Sequence, residues 1–179
     1  MQAFLFKPLC ENDLDLLFHW FQEPDINKWY ARGKNWSFND IKQKYLPRIL
    51  AAEKIQSFII YKNKLPIGFI QYYCLRDHFP EGIKGFNHSI FKSFQAEELI
   101  GIDFFLAYQA DRGKGLGELI LNCFIAQLPA NTKAVIVDPE ADNYRALRCY
   151  LKTGFQSTNF SEDKVYLLLL KILPETISE

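Results

Sequence analysis

No stretch of this chain is apolar for long enough to cross a bilayer, and residues 1–8 lack the charged-then-apolar layout of a secretory leader. A cytoplasmic protein is therefore expected. Neither sign of charge is in excess: 21 Lys and Arg balance 21 Asp and Glu, so no global field draws the chain to nucleic acid or to an anionic membrane. The four cysteines, Cys10, Cys74, Cys123 and Cys149, form no C-x-x-C pair and have no histidine at ligand spacing, which argues against a zinc site or a disulfide framework. His19, His78 and His88 are equally scattered, and no metal is assigned. Internal repeats and low-complexity tracts are also missing. What remains is 179 residues, 49% hydrophobic and 16% aromatic, enough for a sizeable core, and a single domain over residues 1–179 is expected.

Residues 4–7 read as a first strand. Asn12-Asp13 then caps a helix whose apolar positions Leu14, Leu17, Phe18 and Phe21 recur at three and four residues, with Pro24 beyond its end. A second amphipathic segment starts at the N-cap Ser37 and runs through Ile41, Tyr45, Ile49 and Leu50, with Pro47 predicting a kink or break. An irregular aromatic stretch holding Trp29, Tyr30 and Trp36 lies between them. Residues 57–61 and 67–74 are β-branched and aromatic and flank a polar loop, 62–66, so they predict an antiparallel hairpin. Residues 75–95 have no clean period and form a long excursion. Then follow a buried strand at 99–106, a helix at 117–128, a strand at 134–137, a helix at 143–153 ended by Gly154, and a terminal hairpin of 155–160 with 165–170. This order, βααββ then βαβαββ, predicts a mixed α/β (α+β) chain, its sheet covered by helices on both faces.

The segment Asp111-Arg112-Gly113-Lys114-Gly115-Leu116-Gly117 is a basic, glycine-rich turn between a strand and a helix. Glycines allow a tight turn and close approach of a ligand, and the first N–H groups of the helix favour a phosphate there. A strand-to-helix turn with solvated Arg112 and Lys114 would read the same way. The spacing does not fit the dinucleotide G-x-G-x-x-G, and no Gly-Lys-Ser/Thr follows to make a P-loop. Asp103 interrupts an apolar strand, where a charge is costly unless it faces a polar cleft; the alternative is an edge or bulge position, which Gly101 permits.

Arg112-x-x-Gly115-x-Gly117 after a strand, followed about thirty residues later by Asn143-x-x-Ala146-x-x-x-Tyr150-x-x-x-Gly154-Phe155, resembles the two signature segments of the GCN5-related N-acetyltransferase (GNAT) superfamily. The resemblance implies the GNAT fold, with a central, mostly antiparallel twisted sheet, and acetyl-coenzyme A as cofactor. Its pyrophosphate would lie on Arg112, Gly113, Lys114, Gly115, Leu116 and Gly117, and the rest of it against Phe104, Phe105, Leu106, Asn143 and Ala146. It also implies direct acetyl transfer to an amine, with Asp103 as base and Tyr150 as acid to the departing thiolate. Tyr150 lies seven residues after Asn143 on one helix face; its other reading is a core tyrosine. No activating histidine accompanies Cys149, which reads as packing.

Further stretches, among them Lys28-Trp29-Tyr30, Gln43-Lys44-Tyr45-Leu46-Pro47, residues 66–73 and Asp138-Pro139, are similar to the aminoglycoside 6′-N-acetyltransferases. That likeness implies an aminoglycoside 6′-amine as acceptor, a sugar pocket lined by Trp29, Tyr45, Gln71 and Tyr73, and Asp138 on a second ring amine. Trp29 and Tyr45 also read as core residues. Gln71 and Tyr73 also read as one face of a strand. Residues 75–97 do not align with those enzymes, and Asp111 stands where a glutamine is common. Two alternatives stay open: a siderophore-pathway acyltransferase acting on lysine or hydroxylysine, and a non-catalytic module that binds coenzyme A. The expected partner is a small-molecule amine, with no nucleic acid and no membrane.

Overall fold

The computed structural model describes residues 4–162 and 164–174. Among these residues seven strands form one sheet: β1 (Phe4–Pro8), β2 (Ile55–Lys62), β3 (Leu65–Cys74), β4 (Leu99–Leu106), β5 (Ala134–Val137), β6 (Gln156–Ser157) and β7 (Leu169–Ile172). Their order is β1-β2-β3-β4-β5-β7-β6. Among the described residues five α-helices accompany them: α1 (Leu14–Gln22), α2 (Pro24–Trp29), α3 (Phe38–Ile49), α4 (Leu116–Ile125) and α5 (Tyr144–Lys152). The β4–β5 pairing is parallel, while β1–β2, β5–β7 and β6–β7 are antiparallel, so the mixed, mostly antiparallel sheet expected from the sequence is present. Among the described residues no helix is long and apolar enough to cross a membrane.

The chain divides into two compact units, residues 1–71 with 103–112, and residues 72–102 with 113–179. In the first, α1 buries Leu14, Leu17, Trp20 and Phe21, α3 buries Ile41 and Tyr45, and these pack with Phe69 of β3 and Phe105 of β4. Stacked Phe69 and Phe105 rings, 5.6 Å apart, lie at its centre. Ser37 caps α3 as expected: its hydroxyl accepts from the Asp40 N–H, and the Asp40 carboxylate accepts from the Ser37 N–H at 2.8 Å. Asp13 acts one turn earlier than expected, accepting from the Cys10 N–H and making no side-chain bond to α1.

Three local expectations change. Pro24 opens a helix as well as following one, because a proline at the first helical position has the right φ and loses no needed donor; Trp29 is therefore helical. Pro47 does not break α3, which runs through it to Ile49. The chain instead reverses just after it, with Ala51 at φ 55° and the Pro47 carbonyl accepting from the N–H groups of Ala52 and Glu53. The β2–β3 hairpin is tighter than a five-residue loop: Asn63 and Lys64, at φ 51° and 67°, make a two-residue turn whose twist suits the strands.

In the second unit α4 buries Ile120, Leu121, Phe124 and Ile125, and every residue of β5 is buried. The 75–95 excursion is held to its own unit by side chains. Gly82 N–H donates to Asp138 Oδ2 at 3.0 Å, and the Ser89 N–H and hydroxyl donate to Glu162 Oε1. The terminal hairpin is shorter than expected and its second strand starts at Leu169. Side-chain bonds from Thr158 and Ser161 to the Leu168 backbone replace the ladder before that point.

Candidate active site

Asp103 is half-buried on β4 and does not sit at a bulge. Gly101 keeps its register opposite Ile136, and its missing side chain has another cause: a Cβ there would stand 2.3 Å from a Tyr73 ring carbon. Antiparallel pairing in the first unit, with Ala107 N–H on the Ile67 carbonyl at 2.8 Å, carries Gln71 of β3 alongside Asp103. Gln71 Nε2 donates to Asp103 Oδ2 at 2.6 Å. Its Oε1 accepts from Arg48 at 2.7 Å and from the Ser57 hydroxyl at 3.4 Å, and Arg48 Nε donates in turn to Glu53 at 3.1 Å. A line of polar groups thus runs Glu53, Arg48, Gln71, Asp103.

The surroundings of this line are aromatic and cationic. Arg48 lies 5.0 Å over the Tyr45 ring. Lys44, one helical turn earlier, places its ammonium 4.9 Å from the Trp36 ring centre, with Phe21, Tyr30 and Tyr45 within 5.8 Å. Burial pulls the Lys44 ammonium down to about 8, Arg48 adds to the fall, and Asp103 opposes it. The Tyr30 phenol is held well above its usual value by burial first, then by Tyr45 and Asp103. Burial likewise pushes up the Tyr45 phenol.

The residues expected to line a sugar pocket are dispersed in exposure. Tyr45 is fully buried, Tyr73 is 2% exposed and Gln71 4% exposed, so a ring of a ligand has little of them to touch. Tyr73 packs edge-on against the His78 ring at 4.7 Å. Trp29 is partly exposed, and the Lys28 ammonium lies 4.2 Å from its ring centre. Asp138 is half-buried and already accepts the Gly82 N–H.

The glycine-rich turn opens α4 as expected. Gly113 and Gly115 have φ 74° and 76°, and a Cβ at either would meet open space, so the left-handed backbone alone calls for glycine there. Gly115 is the N-cap of α4, with Leu116 and Gly117 buried and Lys114 exposed. The open space over these glycines and the unpaired first N–H groups of α4 fit a diphosphate. Arg112 is placed otherwise than expected. Its guanidinium donates to the carbonyls of Leu106 and Ala107 and pairs with Asp25 at 2.5 Å, so it closes the end of β4. Along β4, Phe104 is partly exposed, while Phe105 and Leu106 are buried and have mainly backbone to offer a ligand.

In the second unit the Asn143 side chain caps α5 by accepting from the Ala146 N–H at 3.2 Å. Tyr150, 7% exposed, lies on that helix with its ring 5.6 Å from Phe155. Burial pushes the neighbouring Cys149 thiol up to about 11, so it is protonated at neutral pH and not nucleophilic. No group of three His, Cys, Asp or Glu among the described residues could hold a metal.

Arg48, Glu53 and Ser57 are absent from the sequence-based site. Arg48 follows Tyr45 by three residues on a helix, a spacing that puts both on one face and could have flagged it.

A glycine-cradled helix N-terminus suits a phosphorylated ligand, and a carboxylate on an apolar strand beside a buried amide suits proton transfer. Residues 10–161 match the family described as acetyltransferase (GNAT) domain, and the chain belongs to that family. Its members use acetyl-coenzyme A and transfer acetyl groups to amines. The chain is 31% identical over 152 residues to aminoglycoside N(6′)-acetyltransferase type 1 of Klebsiella pneumoniae, covering 83% of this chain and 71% of that protein. A kanamycin resistance protein of Rhizobium radiobacter is 42% identical over 59 residues, 31% of this chain and 54% of that one. Among solved structures, AAC(6′)-Ib in complex with paromomycin and acetyl-coenzyme A superposes with a TM-score of 0.80 at 26% identity, covering 95% of this chain and 93% of that one. The same enzyme with coenzyme A and kanamycin gives 0.78 at 27% identity, covering 95% of each.

Proposed function

We propose that this chain is a cytoplasmic acetyltransferase, acting as one domain over residues 1–179, that acetylates the 6′-amine of an aminoglycoside. The observation that carries the reading is Asp103, a carboxylate on an apolar strand with one oxygen fixed by Gln71 at 2.6 Å. A primary amine is mostly protonated at neutral pH, and Asp103 takes up its proton. The nitrogen lone pair then forms the bond to the acyl carbon while the C–S bond breaks and its electron pair passes to sulfur. Tyr150 gives the departing thiolate its proton and is restored by the second proton, which the acylated nitrogen loses as the amide forms, while Asp103 returns the first proton to solvent. Backbone N–H groups at the start of α4, with Lys114, hold the pyrophosphate, and the α5 residues Asn143 and Ala146 and the β4 backbone at 104–106 hold the remainder. Trp29 offers a sugar ring its partly exposed side chain, and Asp138 takes a second ammonium. The aminoglycoside relatives support this choice of acceptor.

One observation favours a second reading. Lys44 and Arg48 are cations close enough to Asp103 to act on the same groups, which disfavours a polycation and suits an amine that also bears a carboxylate, such as a lysine or hydroxylysine derivative. A thiol-release assay with acetyl-coenzyme A against aminoglycosides, polyamines, lysine derivatives and basic peptides separates the two. Turnover of kanamycin is expected. Activity confined to lysine derivatives would replace the acceptor, and no activity with any amine would leave a module that only binds coenzyme A.

A further inference from the structure

Gln71 and Arg48 lie outside the chemistry of acetyl transfer, yet both are buried. The Arg48 side chain is 9% exposed and Gln71 is 4% exposed. Burial of a carboxamide and a guanidinium costs free energy unless their polar atoms are paired, so their bonds decide their orientation. A guanidinium can only donate and a carboxylate can only accept. Between them the Gln71 amide has one workable orientation: Oε1 toward Arg48 at 2.7 Å and Nε2 toward Asp103 at 2.6 Å. The reverse would set two donors against each other at one end and two acceptors at the other.

We infer that Arg48 is a positioning residue for the proton-accepting carboxylate: it anchors Gln71 so that one oxygen of Asp103 is fixed and the other is left to the amine. The inference rests on Asp103 being the base. Arg48 itself is steadied twice, by Glu53 at 3.1 Å and by the Tyr45 ring beneath it. Without Arg48 the far end of the Gln71 amide would keep only the Ser57 hydroxyl at 3.4 Å, a long bond that leaves the amide free to swing. Misplacing a base by about 1 Å can cost on the order of a hundredfold in rate, whereas cofactor binding at α4 is untouched.

The test uses the whole chain with acetyl-coenzyme A and kanamycin. Arg48→Met should lower kcat about 10-fold to 100-fold with the KM for acetyl-coenzyme A unchanged. Arg48→Lys, still a donor and still charged, should recover part of that loss. In a Gln71→Leu background Arg48→Met should add nothing further, because the amide it anchors is gone. A nuclear magnetic resonance readout needs no acceptor. The Gln71 side-chain N–H pair, identified by its loss in Gln71→Leu, should exchange slowly in the parent protein and quickly in Arg48→Met. Undiminished kcat in Arg48→Met, an equal loss in the Gln71→Leu background, or an unchanged exchange rate would each overturn the inference. Asp103→Asn separates this from the underlying reading: an inactive Asp103→Asn beside a fully active Arg48→Met removes only the anchor. An active Asp103→Asn removes the base and the anchor with it.

Discussion

Replacing Gly68 with alanine tests whether β3 and β4 are as close as the base requires. A Cβ at position 68 would stand 2.4 Å from the Phe105 carbonyl oxygen and 3.3 Å from the Leu106 Cα, and ordinary contact starts at 3.4 Å. Both obstacles are backbone, so no side chain can rotate out of the way. Relief needs the two strands to part by about 1 Å, and overpacking of this kind costs roughly 1–3 kcal/mol. In a chain of this length that lowers the melting temperature by about 2–12 °C. The same displacement would stretch the Gln71–Asp103 bond from 2.6 Å to beyond hydrogen-bonding range. Thermal unfolding and steady-state turnover should therefore fall together, kcat by about 10-fold or more. A Gly68→Ala variant with the parent melting temperature and the parent kcat would refute both the close approach and the dependence of turnover on it.

Tyr150→Phe removes the proposed acid and should slow thiolate protonation, lowering kcat by about 10-fold to 100-fold; an unchanged rate in the thiol-release assay would assign that proton to water. Lys44 has a folded-state value near 8 against an ordinary 10.5, so above the lower value the unfolded chain retains a proton the folded chain has lost, and stability rises with pH across that window. Lys44→Met should flatten that rise, measured as urea midpoints through the same range, and a slope equal to the parent's would contradict the burial of the ammonium. Cys149→Ala should leave turnover intact, since the thiol is protonated at neutral pH; loss of activity would bring back a route through an acyl-cysteine. Gly115→Val should abolish acetyl-coenzyme A binding by calorimetry, because its φ of 76° excludes a branched side chain and the chain would have to leave the phosphate turn.

Periodicity and capping made most elements legible. Leu14, Leu17 and Phe21 marked α1, Ser37 marked the start of α3, and the glycine turn marked the start of α4. Local signals failed where one residue serves two purposes. Pro24 ends one helix and begins another, and α3 continues through Pro47 for a further two residues before the chain turns. Asp103 could be singled out because charge inside an apolar strand is costly, a one-dimensional argument. Its contacts could not: Gln71 entered only as a pocket residue and meets Asp103 through strand register, and Arg48 reaches Gln71 from α3, both long-range outcomes. Tyr45 and Tyr73 entered as pocket residues through the family resemblance, and their burial against Phe69 and Gly101 is a packing outcome that no local pattern reveals.

Arg112 bears on how the family signature is read in mutagenesis. Its guanidinium fastens the Leu106 and Ala107 carbonyls and pairs with Asp25 of α2. An alanine scan that found weaker cofactor binding at position 112 would invite the inference of a lost phosphate contact, yet the same loss follows from an unclasped strand end. Asp25→Ala, at a position far from the signature in sequence, should then reproduce part of the Arg112 phenotype. Such a pair of variants separates a motif kept for its ligand from a motif kept for its architecture.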